Sequence, residues 1–474
     1  MKIPFVGPSY QTRSANFAAA RCVNLFPVVS ESEDSKSVAA LYGTPGTRLL
    51  ATLGGSGGIR GVHVPTSGGD AIVVRGGSVY RVNTSWVATL VGTVDDLSTP
   101  VSIKDNGVTA VITTGPNGYS LDLGTNVVTQ ISDPAFYGSR HVDFLNTYGI
   151  LATPNSNVMY ITGNNAITFD ALDFASAESN AEPIVSHIVS HSEIVILKKT
   201  VTEVWSSSGD VDFPFAKNSN AAIEQGCAAP YSVVKMDNTV FWLGGNQEGQ
   251  GIVWRLNGYT PVRVSTEAVE YAIAGYSAIS DAVAYSYQQE GHTFYQLSFP
   301  TGNATWVYDA NTSLWHERAY RNTSTGLLGR HRSNCHMFFG GQHVVGDWEN
   351  GNLYALDLNY YSDNGSPMPA IRSGGHIASK DYSRIRHDLL QVDMETGVGL
   401  QSGQGSNPQA VLDWSDDGGK TWSNQHTASM GAVGKYGDRV RWTRLGSSRD
   451  RVYRITITDP VKRVILGASL NPKP

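Results

Sequence analysis

Between residues 71 and 358 the chain passes seven times through one unit: a short β-branched strand, a turn rich in Gly and Asn, and a second strand carrying an aromatic residue. The aromatics are Tyr80, Tyr119, Tyr160, Trp205, Trp254, Tyr308 and Tyr354, spaced by 39, 41, 45, 49, 54 and 46 residues. A repeat of roughly 40–50 residues with room for four strands predicts β-propeller blades, because one such sheet cannot bury both faces alone and must stack on its neighbours. The expected fold is therefore all-β.

Three repeats extend to full meanders. The first reads as strands at 59–64, 71–75, 78–82 and 86–91, and the third and sixth repeat the plan, with an expected period of two throughout. The seventh offers only 335–339, 343–347 and 353–358. A strand from the first 53 residues would complete it and remove an exposed sheet edge. Ser265 and Thr266 followed by Glu267, with Val269, Ala272, Ile273 and Tyr276 spaced along one face, predict a capped amphipathic helix between blades five and six. The polar, small-residue tracts 172–183 and 206–226 are longer than hairpin connections and read as candidate functional loops.

Composition separates a second part. Beyond Ala370 there are 15 Lys and Arg against 10 Asp and Glu, whereas the residues before carry 20 against 31. Strand-like segments at 389–396, 410–414, 440–445, 452–459 and 463–470 predict a separate small β-sandwich or barrel. The expected organisation is an N-terminal segment, 1–58, available to close the ring; a propeller of about seven blades, 59–369; and a C-terminal β domain, 370–474. The net charge of −6 argues against general DNA coating, which needs Lys and Arg to neutralise phosphates. No run of apolar residues reaches membrane-spanning length, so no membrane insertion is expected, and the opening residues lack a signal peptide's pattern. Cys22, Cys227 and Cys335 are too scattered for a disulfide framework.

Ser415, Asp417, Gly419, Thr421 and Trp422 match the Asp-box, Ser-x-Asp-x-Gly-x-Thr-Trp. Its chemistry is a folding device, with a carboxylate collecting backbone donors, a glycine free to take positive φ, and an indole packing under the hairpin. A sugar-related role is the lesser reading, since sialidase propellers carry several boxes and an arginine cluster that this sequence lacks. His331, Cys335, His336 and His343 form the compact His/Cys cluster, but Cys335 and His336 point to opposite faces of a strand, so ordinary strand residues are expected and no metal. Nucleophile elbows, phosphate-binding loops and His-Glu-x-x-His are absent, and neither enzyme activity nor a cofactor is expected.

The run from Glu224 through Gln225, Gly226, Cys227, Ala228, Ala229, Pro230 and Tyr231, continued by Asn238 to Gly244 and Trp254 to Glu270, resembles the packaged-DNA stabilisation, or tail nozzle, proteins of short-tailed bacteriophages. Pro8 to Ser14, Cys22 to Pro27 and Tyr42 to Gly46 are similar to the same family's opening segment. The resemblance implies a virion tail part assembled in the host cytoplasm. It also implies a hexameric ring below the portal and its adaptor, partnered by tail fibre, tailspike or needle proteins, through which double-stranded DNA passes. It transfers no catalytic residues. Within it, Asp210, Asp212, Phe213 and Phe215 are the candidate channel gate, an acidic and apolar constriction. The alternative is a propeller that binds or cleaves cell-surface glycans, motivated by the Asp-box and the abundant Tyr and Trp.

Overall fold

The computed structural model describes residues 1–210, 213–245 and 251–472. Seven four-stranded antiparallel blades follow one another around a ring; five are separate sheets, while the sixth runs on through Ala19–Val23 and the seventh through Ser362–Asp363. Blade one is Ile59–His63, Ala71–Arg75, Ser78–Val82 and Ala88–Thr93, and blades two to six repeat the meander through Leu314–Glu317. Tyr119 and Tyr160 fall in neighbouring blades, so the repeat has the period read from the sequence.

Each of the seven marker aromatics lies on the third strand of its blade. Their polar tips explain the choice of residue. Tyr80 Oη donates to Gly54 O at 3.0 Å, Tyr119 Oη to Asp95 Oδ1 at 2.9 Å, and Tyr160 Oη to Gly138 O at 2.8 Å. The ring fills the space between blades while the hydroxyl ties the third strand to the connector that enters the same blade.

The expected period of two fails on the second strands. Ala71–Arg75, Thr109–Thr113, Tyr148–Ala152, Glu193–Lys198 and Thr239–Gly244 are buried almost residue by residue. A strand with a neighbouring blade against each face has no solvent side, so it reads as a continuous apolar run. One apolar cluster occupies each blade interface. Blades one and two, for example, share Ile72, Val74, Ile103, Ile112 and Leu121, and blades seven and one share Ile59, Val73, Tyr80, Phe339 and Leu353.

Blade seven consists of Ser333–Phe339, Gln342–Asp347 and Asn352–Asp357, with Gly46–Thr52 as its outer strand. Antiparallel pairing from Asn352↔Thr52 to Asp357↔Gly46 closes the ring. Gly46 is required by close approach, since a Cβ there would lie 2.0 Å from Tyr360 O and 2.6 Å from Ser362 O, where the chain leaves the propeller.

The remainder is a β-sandwich. Leu389–Met394, Val440–Thr443 and Val464–Leu470 form one sheet, and Ala370–Ser373, Asp450–Ile457, Gln409–Ser415 and His426–Ser429 the other. It is not separate from the N-terminal segment, as the sequence suggested. Lys2–Ile3 and Ala39–Gly43 pair with Val464–Leu470, and Ala19–Val23 pairs with Ala370–Ser373. Ile3, Phe5, Leu25 and Leu41 share one core with Leu390, Leu412, Ile455 and Ile465. Most of the first 43 residues therefore complete the sandwich, and only the strand after them closes the propeller. The predicted helix is Glu267–Ala274, capped by Thr266, whose side chain accepts from Val269 N.

Candidate functional site

Four places bear on function: the Asp-box turn, the 206–226 tract, the His/Cys cluster and the mouth of the propeller. In the Asp-box, Ser415 Oγ donates to Asp417 Oδ1 at 2.6 Å and accepts from Gly419 N at 2.7 Å. Asp417 also accepts from Lys420 N, Thr421 N and Thr421 Oγ1 at 2.7–3.1 Å. Hydrogen bonds from Ser415 and Thr421 hold its pKa well below the usual carboxylate range. Gly418 and Gly419 take φ of 75° and 92°, and a side chain at Gly418 would collide with Asn16. The turn thus rests against the N-terminal segment. Trp422 is half-buried beneath the Arg454 guanidinium, which lies 3.7 Å from its ring and pairs with Asp413. Asp417 is committed to its own turn.

Each tract expected as a long loop is partly outer strand: Phe169–Ser176 belongs to blade three and Phe215–Ile223 to blade four. Small and polar residues obscured them because an outer strand buries only one face. Phe215 is 3% exposed and packs among Tyr148, Phe213 and Trp205 in the core between blades three and four. It is core, so it roots the hairpin and does not itself line a constriction. Phe213 lies half-buried on the edge of Trp205. Asp210 is exposed close to the tip of the hairpin, and Asp212 lies outside the described residues. The 172–183 tract is fastened as well. Buried Lys198 donates from Nζ to Ala177 O and Asn180 O, both at 2.6 Å, and Glu203 accepts from Ser179 N at 2.7 Å.

The His/Cys cluster is divided between two blade interfaces. Cys335 packs toward blade one, where burial pushes its thiol up to about 12. His336 stacks on His343 with Nε2 to Nδ1 at 3.1 Å, facing Tyr285 and Tyr287 of blade six. Burial and the neighbouring His343 hold His336 near 3, so it stays neutral at ordinary pH.

Sequence reading missed the fourth place. The connectors between blades and the loops after the second strands converge on a cavity of about 820 Å³ at the centre of the ring. Pro100, Pro116, Pro154, Pro230 and Pro300 stiffen its wall. Arg140, Tyr231, Asp281, Arg330 and Trp348 supply its polar and aromatic groups. The cavity was invisible in the sequence because its residues are spread over about 250 positions and only ring closure gathers them.

The comparisons with known proteins address the chain as a whole. Residues 1–361 match the family model of the bacteriophage P22 Gp10 β-propeller, and residues 373–472 match that of the P22 Gp10 β-sandwich. The chain belongs to this packaged-DNA stabilisation family. It is accordingly a bacteriophage structural protein, and the family's two parts, propeller and sandwich, are those seen here. No curated protein sequence matches it. Similar solved structures include the N-terminal domain of Nup159, at 10% identity and a TM-score of 0.44, covering 71% of this chain and 99% of that one. YCF48 from Cyanidioschyzon merolae is similar at 15% identity and a TM-score of 0.43, over 66% and 99%. PorZ, a type-IX secretion component of Porphyromonas gingivalis, follows at 12% identity and 0.38, over 80% and 46%.

Proposed function

We propose that this chain is a tail nozzle subunit: six copies form a ring below the portal and its adaptor, extend the DNA channel, and retain the packaged genome until ejection. The observation that carries the reading is that both parts of the chain, nearly end to end, match one phage stabilisation family. The architecture supports a part under load. Two covalent connections join propeller and sandwich, one from Gly43 to Gly46 and one from Asp357 to Ala370, and the N-terminal strands enter sheets on both sides. The charge division also fits a conduit. Acidic residues dominate the propeller side and basic residues the sandwich, which suits a lumen that does not adhere to DNA and a separate surface for docking an adaptor or a fibre, tailspike or needle protein.

Within this reading the blade-four hairpin around Asp210 is the gating element. Its aromatic roots, Phe213 and Phe215, anchor it, so the acidic tip narrows the channel while the base stays fixed. Particles assembled without the chain are expected to package DNA and then lose it, measured as nuclease-accessible genome. Full retention in its absence contradicts the reading. Deleting residues 207–212 should leave assembly intact and release DNA early, whereas normal retention would remove this hairpin from the role.

A further inference from the structure

Sheet order puts the strand Val440–Thr443 at the opposite edge of its sheet from Leu25–Val29 and Ala39–Gly43, the strands that lead into the propeller. It pairs with Leu389–Met394 from Leu389↔Thr443 to Val392↔Val440. The pairing runs on past both strands. Arg444 N donates to Asp388 O, Leu445 N to His387 O and His387 N to Gly446 O at 2.8–2.9 Å, and Ile385–Arg386 then pairs with Ser447–Ser448. The result is one two-stranded ribbon, Ile385 to Val392 against Val440 to Ser448, about 25 Å long at the usual strand rise.

Five exposed arginines follow this ribbon. Arg439 and Arg441 alternate with buried Val440 and Trp442, so both point away from the core. At the other end Arg384 donates from Nη1 to Ser447 Oγ at 3.4 Å, and Arg449 stands just beyond Ser448. Between them Arg444 takes a φ of 61°, where glycine would relieve the strain. None of the five forms an ion pair among the described residues, and neighbouring carboxylates are engaged elsewhere: Asp388 by Arg386, Asp413 by Arg454, Asp416 by Arg451, and Asp450 by His376.

We propose that this arginine ribbon binds the phosphate backbone of double-stranded DNA. The planar guanidinium fork matches a phosphate, and arginine rather than lysine holds all five positions. A two-stranded ribbon fits a duplex major groove, so arginines at its two ends meet the backbones on either side. The exposed positions between the arginines, Thr443, Gly446 and Ser447, are small and polar, and exposed Tyr382 lies outside the ribbon in the turn before Arg384. A protein partner calls for an apolar centre and a membrane surface for an inserted apolar face, and the ribbon offers neither. The net charge of −6 opposes coating along the whole chain, but a local row is enough for phosphate contact. The inference deepens the nozzle reading and rests on it for the source of the duplex: the acidic propeller repels DNA and the ribbon grips it.

The test is fluorescence anisotropy of a labelled duplex titrated with the full chain. Binding is expected irrespective of base sequence, and it should weaken about a hundredfold between about 50 and 200 mM salt for roughly four neutralised phosphates. The double variants Arg439→Gln with Arg441→Gln, and Arg384→Gln with Arg449→Gln, should each weaken binding about tenfold or more and reduce the salt slope by about two. All four side chains are exposed, so thermal melts should match the parent, and Lys235→Gln on the propeller surface should bind as the parent does. No binding at the lower salt, binding unchanged in both double variants, or tighter binding of polyglutamate or of phosphatidylglycerol vesicles than of the duplex would overturn the proposal. Those last two results would make the ribbon a protein-docking or a membrane-facing surface. Loss of duplex binding leaves the nozzle reading standing, since that reading falls only if particles without the chain retain their genomes.

Discussion

Asn24 stands where propeller, sandwich and N-terminal segment meet, and its amide is fully used there. Its Nδ2 donates to Ala319 O and Pro369 O, both at 2.9 Å, and its Oδ1 accepts from Ala319 N at 2.9 Å. It is buried, and its φ of 53° is one that asparagine tolerates better than most residues. Asn24→Ala should destabilise the protein by about 2–4 kcal/mol in chemical denaturation, because buried backbone groups lose their partners. A variant as stable as the parent would show that the junction is held elsewhere. Asp417 makes a contrasting prediction. Asp417→Ala should lower the melting temperature by freeing the Asp-box turn, and any change in sugar affinity should follow that loss of folding. A normally folded variant that loses sugar binding selectively would instead make the box a binding site.

At the scale of elements, a titratable weak point lies beside the strand that closes the ring. Asp363 bridges to Thr47 beside the closing strand, with Thr47 Oγ1 donating to Oδ1 at 3.1 Å and Oδ2 left unpartnered among the described residues. Burial raises its pKa to about 7, and the nearby Arg463 only partly offsets this. Between about pH 4 and pH 7 the folded protein holds a proton that the unfolded chain has released, so stability contributed here falls as pH rises through that window. Asp363→Asn should match the parent near pH 4 and exceed it near pH 8 in thermal melts. Equal pH slopes for the two proteins would contradict the assignment. The local patterning of these elements was readable in the sequence, since Tyr80, Tyr119 and Tyr160 mark third strands and the Thr266 cap marks the helix. The weaving of residues 1–43 into the sandwich was not, because its pairings span more than 300 positions and no local pattern specifies a distant partner strand. The outer strand of blade four escaped for a different reason: Phe215–Ile223, mostly Ala, Asn, Ser and Lys, has the composition of a loop, while in blade three the expected fourth strand runs on through Ser176 into the tract read as a loop. At the candidate site, the Asp-box was legible as a contiguous motif, whereas the burial of Phe215 depends on Tyr148 from the preceding blade.

At the scale of the whole molecule, the chain is a propeller whose ring is closed by the segment that also completes the sandwich, so neither part is finished until the first 52 residues are in place. That construction suits a subunit that must keep its shape between neighbours, and the proposed ring requires identical chains to meet through different surfaces on their two sides. Closure about an axis then encloses the DNA path. The claim is tested most directly by an asymmetric cryo-electron microscopy reconstruction of the native particle at a resolution that places this fold. The account predicts six copies in a closed ring on the tail axis, below the portal and adaptor, with DNA density ending at or within it; a single central copy, or copies confined to peripheral fibres, would contradict it.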